Sequence, residues 1–230
     1  MQLFTTEHTP AEIVKLFPKA SDLFKSERID FCCGGNRPLY EVFAEKDLDQ
    51  TVIMSNLNKA YEVWSKEENE TIDWDKIPLA DLVDHIVESH HAYLHEELAP
   101  LSQFVTKVFR RHGADHPHLK ELHRLFNNFK VDMEEHLVNE EDNVFPLIKE
   151  YEKSPSEDLK QRIIEANGGL EDDHQASGDL LKQMREITED FTPPSGACNS
   201  YRITYARLEE LESNTFQHIH LENNILFKRI

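Results

Sequence analysis

The chain has 230 residues, 39% of them hydrophobic and 30% charged, with only seven glycines, which suits one medium helical domain and a small one. Its formal charge of -19 argues against nucleic acid, because a phosphate backbone rewards clustered Lys and Arg. No basic stretch precedes a long apolar run at the N-terminus, and no segment approaches about 18 apolar residues, so the expectation is a soluble, cytoplasmic protein without a membrane partner.

Residues 1–65 read as short amphipathic helical pieces interrupted by Pro18, Gly34, Gly35 and Pro38, a small helical domain. Three cysteines, two of them adjacent, make no disulfide framework. Cys32 and Cys33 precede Gly34-Gly35, a turn whose backbone N–H groups could stabilise a thiolate or a bound anion. The pair reads as a redox pair, a nitrosyl acceptor, a temporary iron or copper ligand, or two small residues packed at a turn. Residues 66–77 form a charged linker that ends in Trp74 and Ile77 as anchors.

From Pro78 onward, residues 78–230 read as four long segments separated by three breaker clusters at 112–117, 153–158 and 192–199. Short loops between long helices predict an all-α, antiparallel up-down-up-down four-helix bundle. Each segment carries an apolar stripe at helical spacing, and each stripe contains one histidine. The stripes are Val87, His91, Leu94, Leu98, Leu101, Val105, Val108; then Leu119, Leu122, Phe126, Phe129, Met133, His136, Glu140. The third runs Leu159, Ile163, Leu170, His174, Leu181, Met184, and the last Thr204, Leu208, Leu211, Thr215, His218, Glu222, Ile225. His136-x-x-x-Glu140 with Val144-Phe145 returns about 82 residues later as His218-x-x-x-Glu222 with Leu226-Phe227, a weak internal repeat.

A His and a Glu four apart are common by accident, so depth in the bundle has to decide. In an antiparallel hairpin two residues lie level when the midpoint of their numbers falls in the connecting loop. His91 with His136, His136 with His174, and His174 with His218 have midpoints near 113.5, 155 and 196, each inside a breaker cluster. Four histidines therefore share one layer, with Glu140 and Glu222 a turn away. An unpaired buried carboxylate costs several kcal/mol, and a layer of four imidazoles and two carboxylates is compensated by metal. Nitrogen and carboxylate donors without thiolate suit iron or manganese, and dinuclear zinc is also permitted. Six side chains suit two ions, each taking two histidines, with Glu140 and Glu222 bridging and room for an oxo or hydroxo bridge. His90 and His95 are reserve ligands. His220 points to solvent or behind the ligands, His112, His116, His118 and His123 are expected to be solvated, and Cys198 is read as an ordinary thiol.

The stretches His136–Pro146, Asp172-Asp173-His174 and His218–Phe227, joined to Asp-Phe-Cys-Cys-Gly-Gly at 30–35, resemble the family of di-iron proteins that repair iron-sulfur centres, a hemerythrin-like domain behind a cysteine-bearing head. The resemblance implies two iron ions held by His91, His136, Glu140, His174, His218 and Glu222. It further implies an iron donor more than a conventional enzyme, acting on iron-sulfur proteins damaged by nitric oxide or peroxide. Gly168-Gly169 is expected to loosen the third helix and ease iron release. Carriage or sensing of oxygen or nitric oxide is the alternative, and needs a fifth histidine from His90 or His95. A ferroxidase would place its ligands as Glu-x-x-His, the reverse of the order found. The small domain's exposed surfaces are compatible with a homodimer.

Overall fold

The computed structural model describes residues 4–67 and 72–230. Among these residues every regular element is helical, and no helix is long and apolar enough to cross a membrane. The chain divides into two compact units, Met1–Ile77 with Glu222–Arg229 and Pro78–Leu221 with Ile230.

The first unit contains α1 (Pro10–Leu16), α2 (Ala20–Ser26), α3 (Leu39–Lys46) and α4 (Gln50–Trp64). Helices this short depend on satisfied ends. Thr9 and Glu12 cap α1 reciprocally, with Pro10 as its first residue, and the Asp49 carboxylate accepts from the N–H groups of Thr51 and Val52 at the start of α4. Ile13, Val14, Phe17, Phe24, Leu39, Phe43, Ile53 and Leu57 form the buried face. Gly35 lies so close to α1 that its carbonyl accepts from Ala11 N–H at 3.0 Å. A Cβ on Gly35 would stand 2.3 Å from the Phe31 carbonyl oxygen. The chain's last residues complete this unit: the Asn224 amide donates to the Cys32 carbonyl at 2.8 Å. Arg229 donates to the backbone carbonyls of Trp74 and Ile77 at 2.9 and 2.7 Å. Residues 68–71 of the expected linker lie outside the described residues.

The second unit is a four-helix bundle. Its first helix runs from α5 (Leu79–Ile86) through a π-helical turn (Val87–His91) into α6 (Ala92–His112). The second runs from α7 (His118–Asn139) through a π turn (Glu140–Val144) into α8 (Phe145–Lys153). The third comprises α9 (Glu157–Ala166) and α10 (Leu170–Ile187), and the fourth is α11 (Asn199–Leu221), whose backbone continues into a π turn at Glu222–Leu226. α6 packs on α7, α7 on α10, α10 on α11 and α11 on α6, closing the ring. The three expected breaker clusters are the three connections. Pro78 brings no side-chain cap to α5, and the Glu152 carboxylate supplies it from α8, accepting from Leu79 and Ala80 N–H at 2.5 and 2.9 Å.

Two departures from a straight-helix reading matter for the site. Gly169 takes φ +103°, a left-handed conformation open chiefly to glycine, and separates α9 from α10, so the softening expected at Gly168-Gly169 is a full break. The π turn before His91 adds one residue to that turn, so Ile86 rather than Val87 occupies the core: Ile86 is fully buried and Val87 half-buried.

Candidate metal centre

The donors of the predicted layer sit where helices change character. His91 closes the first π turn; His136 lies in the last turn of α7 and Glu140 opens the second π turn. His174 lies in the second turn of α10, His218 in the last turn of α11, and Glu222 opens the π turn that follows. Five of the six are fully buried and His136 is 4% exposed.

The imidazoles meet in two pairs through Nε2, His91 with His218 at 3.0 Å and His136 with His174 at 2.9 Å. Two nitrogens in adjacent positions on one ion, each about 2.1 Å from it, lie about 3.0 Å apart, so both pairs have ligand spacing. Glu140 stands between them, with Oε2 at 3.2, 3.4 and 3.7 Å from Nε2 of His136, His91 and His218, and Oε1 at 3.8 Å from that of His174. One ligand atom from each of His91, Glu140, His218 and Glu222 lies within 4.8 Å of the others, and the same holds for His136, Glu140, His174 and Glu222. The structure thus brings all six residues into two sets that share both glutamates. Two carboxylates withdrawn from water and ringed by imidazole nitrogens form a cation site. The donor chemistry fits metal, and neutral imidazoles alone leave the carboxylate charge uncompensated.

The reserves point elsewhere. His90 Nδ1 is 3.2 Å from Asn214 Oδ1, and His95 Nε2 is 3.1 Å from Glu141 Oε1; neither belongs to the two sets. His220 is 2% exposed, which rules out the solvent-facing placement. His118 is also not solvated as expected: its Nε2 is bonded to the hydroxyls of Tyr205 and Tyr201 at 2.8 and 3.2 Å, and burial pushes its pKa down. His123 pairs with Thr106 Oγ1 at 3.1 Å, and His112 Nε2 lies 3.3 Å from Cys198 Sγ.

Two carboxylates behind the ligands were not singled out from the sequence. Glu141 Oε1 is 2.9 Å from Nδ1 of His91, and Asp173 Oδ2 is 3.8 Å from Nδ1 of His136. Partial burial pushes the Glu141 carboxyl up, but hydrogen bonds with His91 and His95 hold it below the ordinary carboxylate value. The loop rule that aligns the histidines also reaches Glu141, because its midpoint with His91 is 116, inside the first breaker cluster.

At the cysteine turn, Asp30 Oδ1 accepts from the N–H groups of Cys32 and Gly34 at 3.0 and 3.1 Å. Those donors are therefore taken by a carboxylate and do not form the open anion cradle expected there. Cys32 is buried, with Sγ 3.7 Å from Cys33 Sγ. The hydrogen bond with Cys33, burial and the Asp30 charge together push the Cys32 thiol well above its ordinary value, which favours thiol over thiolate.

Two family models match the chain. ScdA_N, described as a domain of unknown function (DUF542), covers residues 6–61, and the hemerythrin HHE cation binding domain covers residues 82–230. The iron-sulfur cluster repair protein ScdA of Staphylococcus haemolyticus is 35% identical over 227 residues, 99% of each chain. That of Staphylococcus epidermidis is 33% identical over 229 residues, 99% of this chain and 100% of the relative. The iron-sulfur cluster repair protein YtfE of Escherichia coli O157:H7 is 34% identical over 219 residues, covering 95% of this chain and 94% of the relative. With a head and a cation-binding bundle that both match, and relatives aligned along nearly the whole length, the chain belongs to the ScdA/YtfE family of hemerythrin-like proteins.

Proposed function

We propose that this protein repairs damaged iron-sulfur clusters in the cytoplasm, holding two iron ions in the buried layer and supplying iron to the damaged protein. The observation that carries the reading is the pair of donor sets that share Glu140 and Glu222. One set alone would hold a single ion; two overlapping sets support two, with His91 and His218 on one, His136 and His174 on the other, and both glutamates common. The names of the relatives support the cluster-repair role.

The residues bind and shield the cargo. Their burial excludes water, and the imidazoles present Nε2 while leaving Nδ1 for orienting contacts. Ferrous iron is the substrate passed on, and damaged iron-sulfur proteins are the partners. Cys32 and Cys33 are assigned a redox role in the first unit, with Cys33 the more accessible thiol. The oxygen- or nitric-oxide-carrier alternative needs a fifth histidine, and both candidates are engaged with other residues.

Metal analysis of protein purified under anaerobic conditions, with reassembly of a nitric-oxide-damaged iron-sulfur enzyme, tests the reading. Two irons per chain and restored enzyme activity are expected. A single zinc without restoration would falsify it.

A further inference from the structure

A separate cluster of donor side chains lies at the other end of the bundle and does not depend on the buried layer. His112 closes α6 and stands about 30 Å along that helix from His91. There the first and third connections meet, with His112 Nε2 3.3 Å from Cys198 Sγ. A thiol and an imidazole at that distance share one proton, so a lone pair of each faces the same point. A zinc-type ion holds nitrogen at about 2.1 Å and sulfur at about 2.3 Å, which sets the two donors about 3.5 Å apart. Putting an ion where the proton lies therefore needs little movement.

A third donor stands beside them. His116 N–H donates to the His112 carbonyl at 2.8 Å, which carries one more helical turn past the end of α6 and puts the two side chains on one face. Both imidazoles lie against the same ring, with centroids 5.5 and 5.7 Å from that of Tyr201. Tyr201 is buried, and its hydroxyl is held by His118 Nε2 and by the Tyr205 hydroxyl, each at 3.2 Å. This fixed aromatic floor keeps His112 and His116 side by side while both remain partly open to solvent. Their centroids are 6.3 Å apart against about 5 Å for two imidazoles on one ion, so His116 closes by about 1 Å through side-chain rotation. Cys198 is exposed, and its carbonyl accepts from Arg202 N–H at 3.1 Å in the first turn of α11, which fixes where the thiol is carried.

From this juxtaposition we propose that His112, His116 and Cys198 form a second metal site, a surface site for a zinc-class divalent cation with water in the fourth position. Thiolate and imidazole donors without carboxylate suit such an ion, and the Irving–Williams order ranks zinc above ferrous iron. Binding is ligand exchange without electron transfer. The hydrated ion gives up waters to two imidazole nitrogens and the sulfur, and the Cys198 thiol proton passes to solvent. The bound ion ties the first connection of the bundle to the start of α11, while Tyr201 and His118 position the histidines without touching the ion.

The test is anaerobic cobalt titration of the full chain loaded with ferrous iron, followed by absorbance. Wild-type protein should take up one further equivalent with a near-ultraviolet sulfur-to-cobalt band, which the buried imidazoles and carboxylates cannot give, and zinc should bleach it. Cys198→Ser should lose the band although Cys32 and Cys33 remain. His112→Gln and His116→Gln should each weaken cobalt binding by at least about 10-fold, the least that loss of an outer contact does. Equal melting of metal-free wild type and metal-free variants checks the fold, and alkylation of wild-type Cys198 carries the test should a variant fail it. Zinc at about ten times its dissociation constant should slow that alkylation about 10-fold, read by mass spectrometry of the labelled peptide. A wild type without the sulfur band, a band that survives Cys198→Ser, unchanged binding in His116→Gln, or alkylation indifferent to zinc overturns the inference. None of these outcomes touches the reading of the buried layer.

Discussion

Replacing Glu140 by Gln separates what the buried carboxylate does for metal from what it does for the fold. Glu140 is fully buried and belongs to both donor sets, so the substitution weakens two ion positions at once. In metal-free protein the carboxylate is a liability, since a buried ionised group costs several kcal/mol that imidazoles at 3.2–3.8 Å offset only in part. Gln has the same shape without the charge. Each ion adds about 2.7 kcal/mol when free metal exceeds its dissociation constant 100-fold, so two ions add about 5 kcal/mol. At about 2–4 °C per kcal/mol for a domain of this size, loaded wild type should melt about 10–20 °C above its metal-free form.

In Glu140→Gln that gap should shrink below about 5 °C, and the metal-free variant should melt at or above metal-free wild type. Scanning calorimetry with anaerobically loaded iron, repeated with chelator, reads both quantities. A variant that keeps two ions and the full gap refutes Glu140 as a shared ligand. A metal-free variant melting well below metal-free wild type refutes the charge argument, because the carboxylate would then be stabilising the empty bundle.

Three further perturbations address the frame around the site. Arg185 Nε donates to Glu212 Oε1 at 2.7 Å, and Glu212 is fully buried, so Arg185→Met should cost about 3–5 kcal/mol in urea unfolding, with most of it recovered in Arg185→Met/Glu212→Leu. Gly35→Ala places a Cβ 2.3 Å from the Phe31 carbonyl oxygen, and the backbone shift it forces should cost at least about 1–3 kcal/mol, seen as faster proteolysis of the first unit with metal content unchanged. Iodoacetamide labelling should proceed in the order Cys198, Cys33, Cys32, following exposed, half-buried and buried thiols. Cys32 also gives an alkaline signature. Its folded pKa is raised, so its contribution to stability is fully present below the unfolded value of about 8.5 and is lost as pH rises toward the folded value. Cys32→Ala should flatten that slope in calorimetry.

The bundle was legible because its signals are local. The four-three spacing of Leu119 through Glu140 is a helical seam whatever packs against it, and the breakers at 112–117 and 192–199 stop helices by their own backbone restrictions. The level of the histidines followed from loop positions, because antiparallel helices with short connections have little freedom to slide. Tertiary partners were not legible in the same way. Asp30 accepts the N–H groups of the cysteine turn, Tyr201 and Tyr205 enclose His118, and nothing in the spacing of those residues announces it. At Gly169 the sequence predicts only a loosening of the third helix, because a glycine's propensity cost does not reveal whether the chain will use its left-handed freedom.

The π turns escaped a reading based on a constant period, and they bear on why the centre can be built at all. A seam continued from Glu140 at α-helical spacing would bury Val144 and then Leu147; the structure buries Val144, Phe145 and Ile148, with Leu147 only half-buried. One extra residue in the turn rotates the following stripe by about 100°, so the helix that presents His136 and Glu140 inward can present a different face beyond them. The same device follows His218, opening at Glu222, and another closes at His91, so in each case a ligand is the terminal residue of the π turn. Such insertions are rare inside α-helices and are found frequently at functional sites. Their recurrence on three helices at one depth places the change of helical register where the donors are, so one helix can turn its ligands inward and still bury a different stripe beyond them.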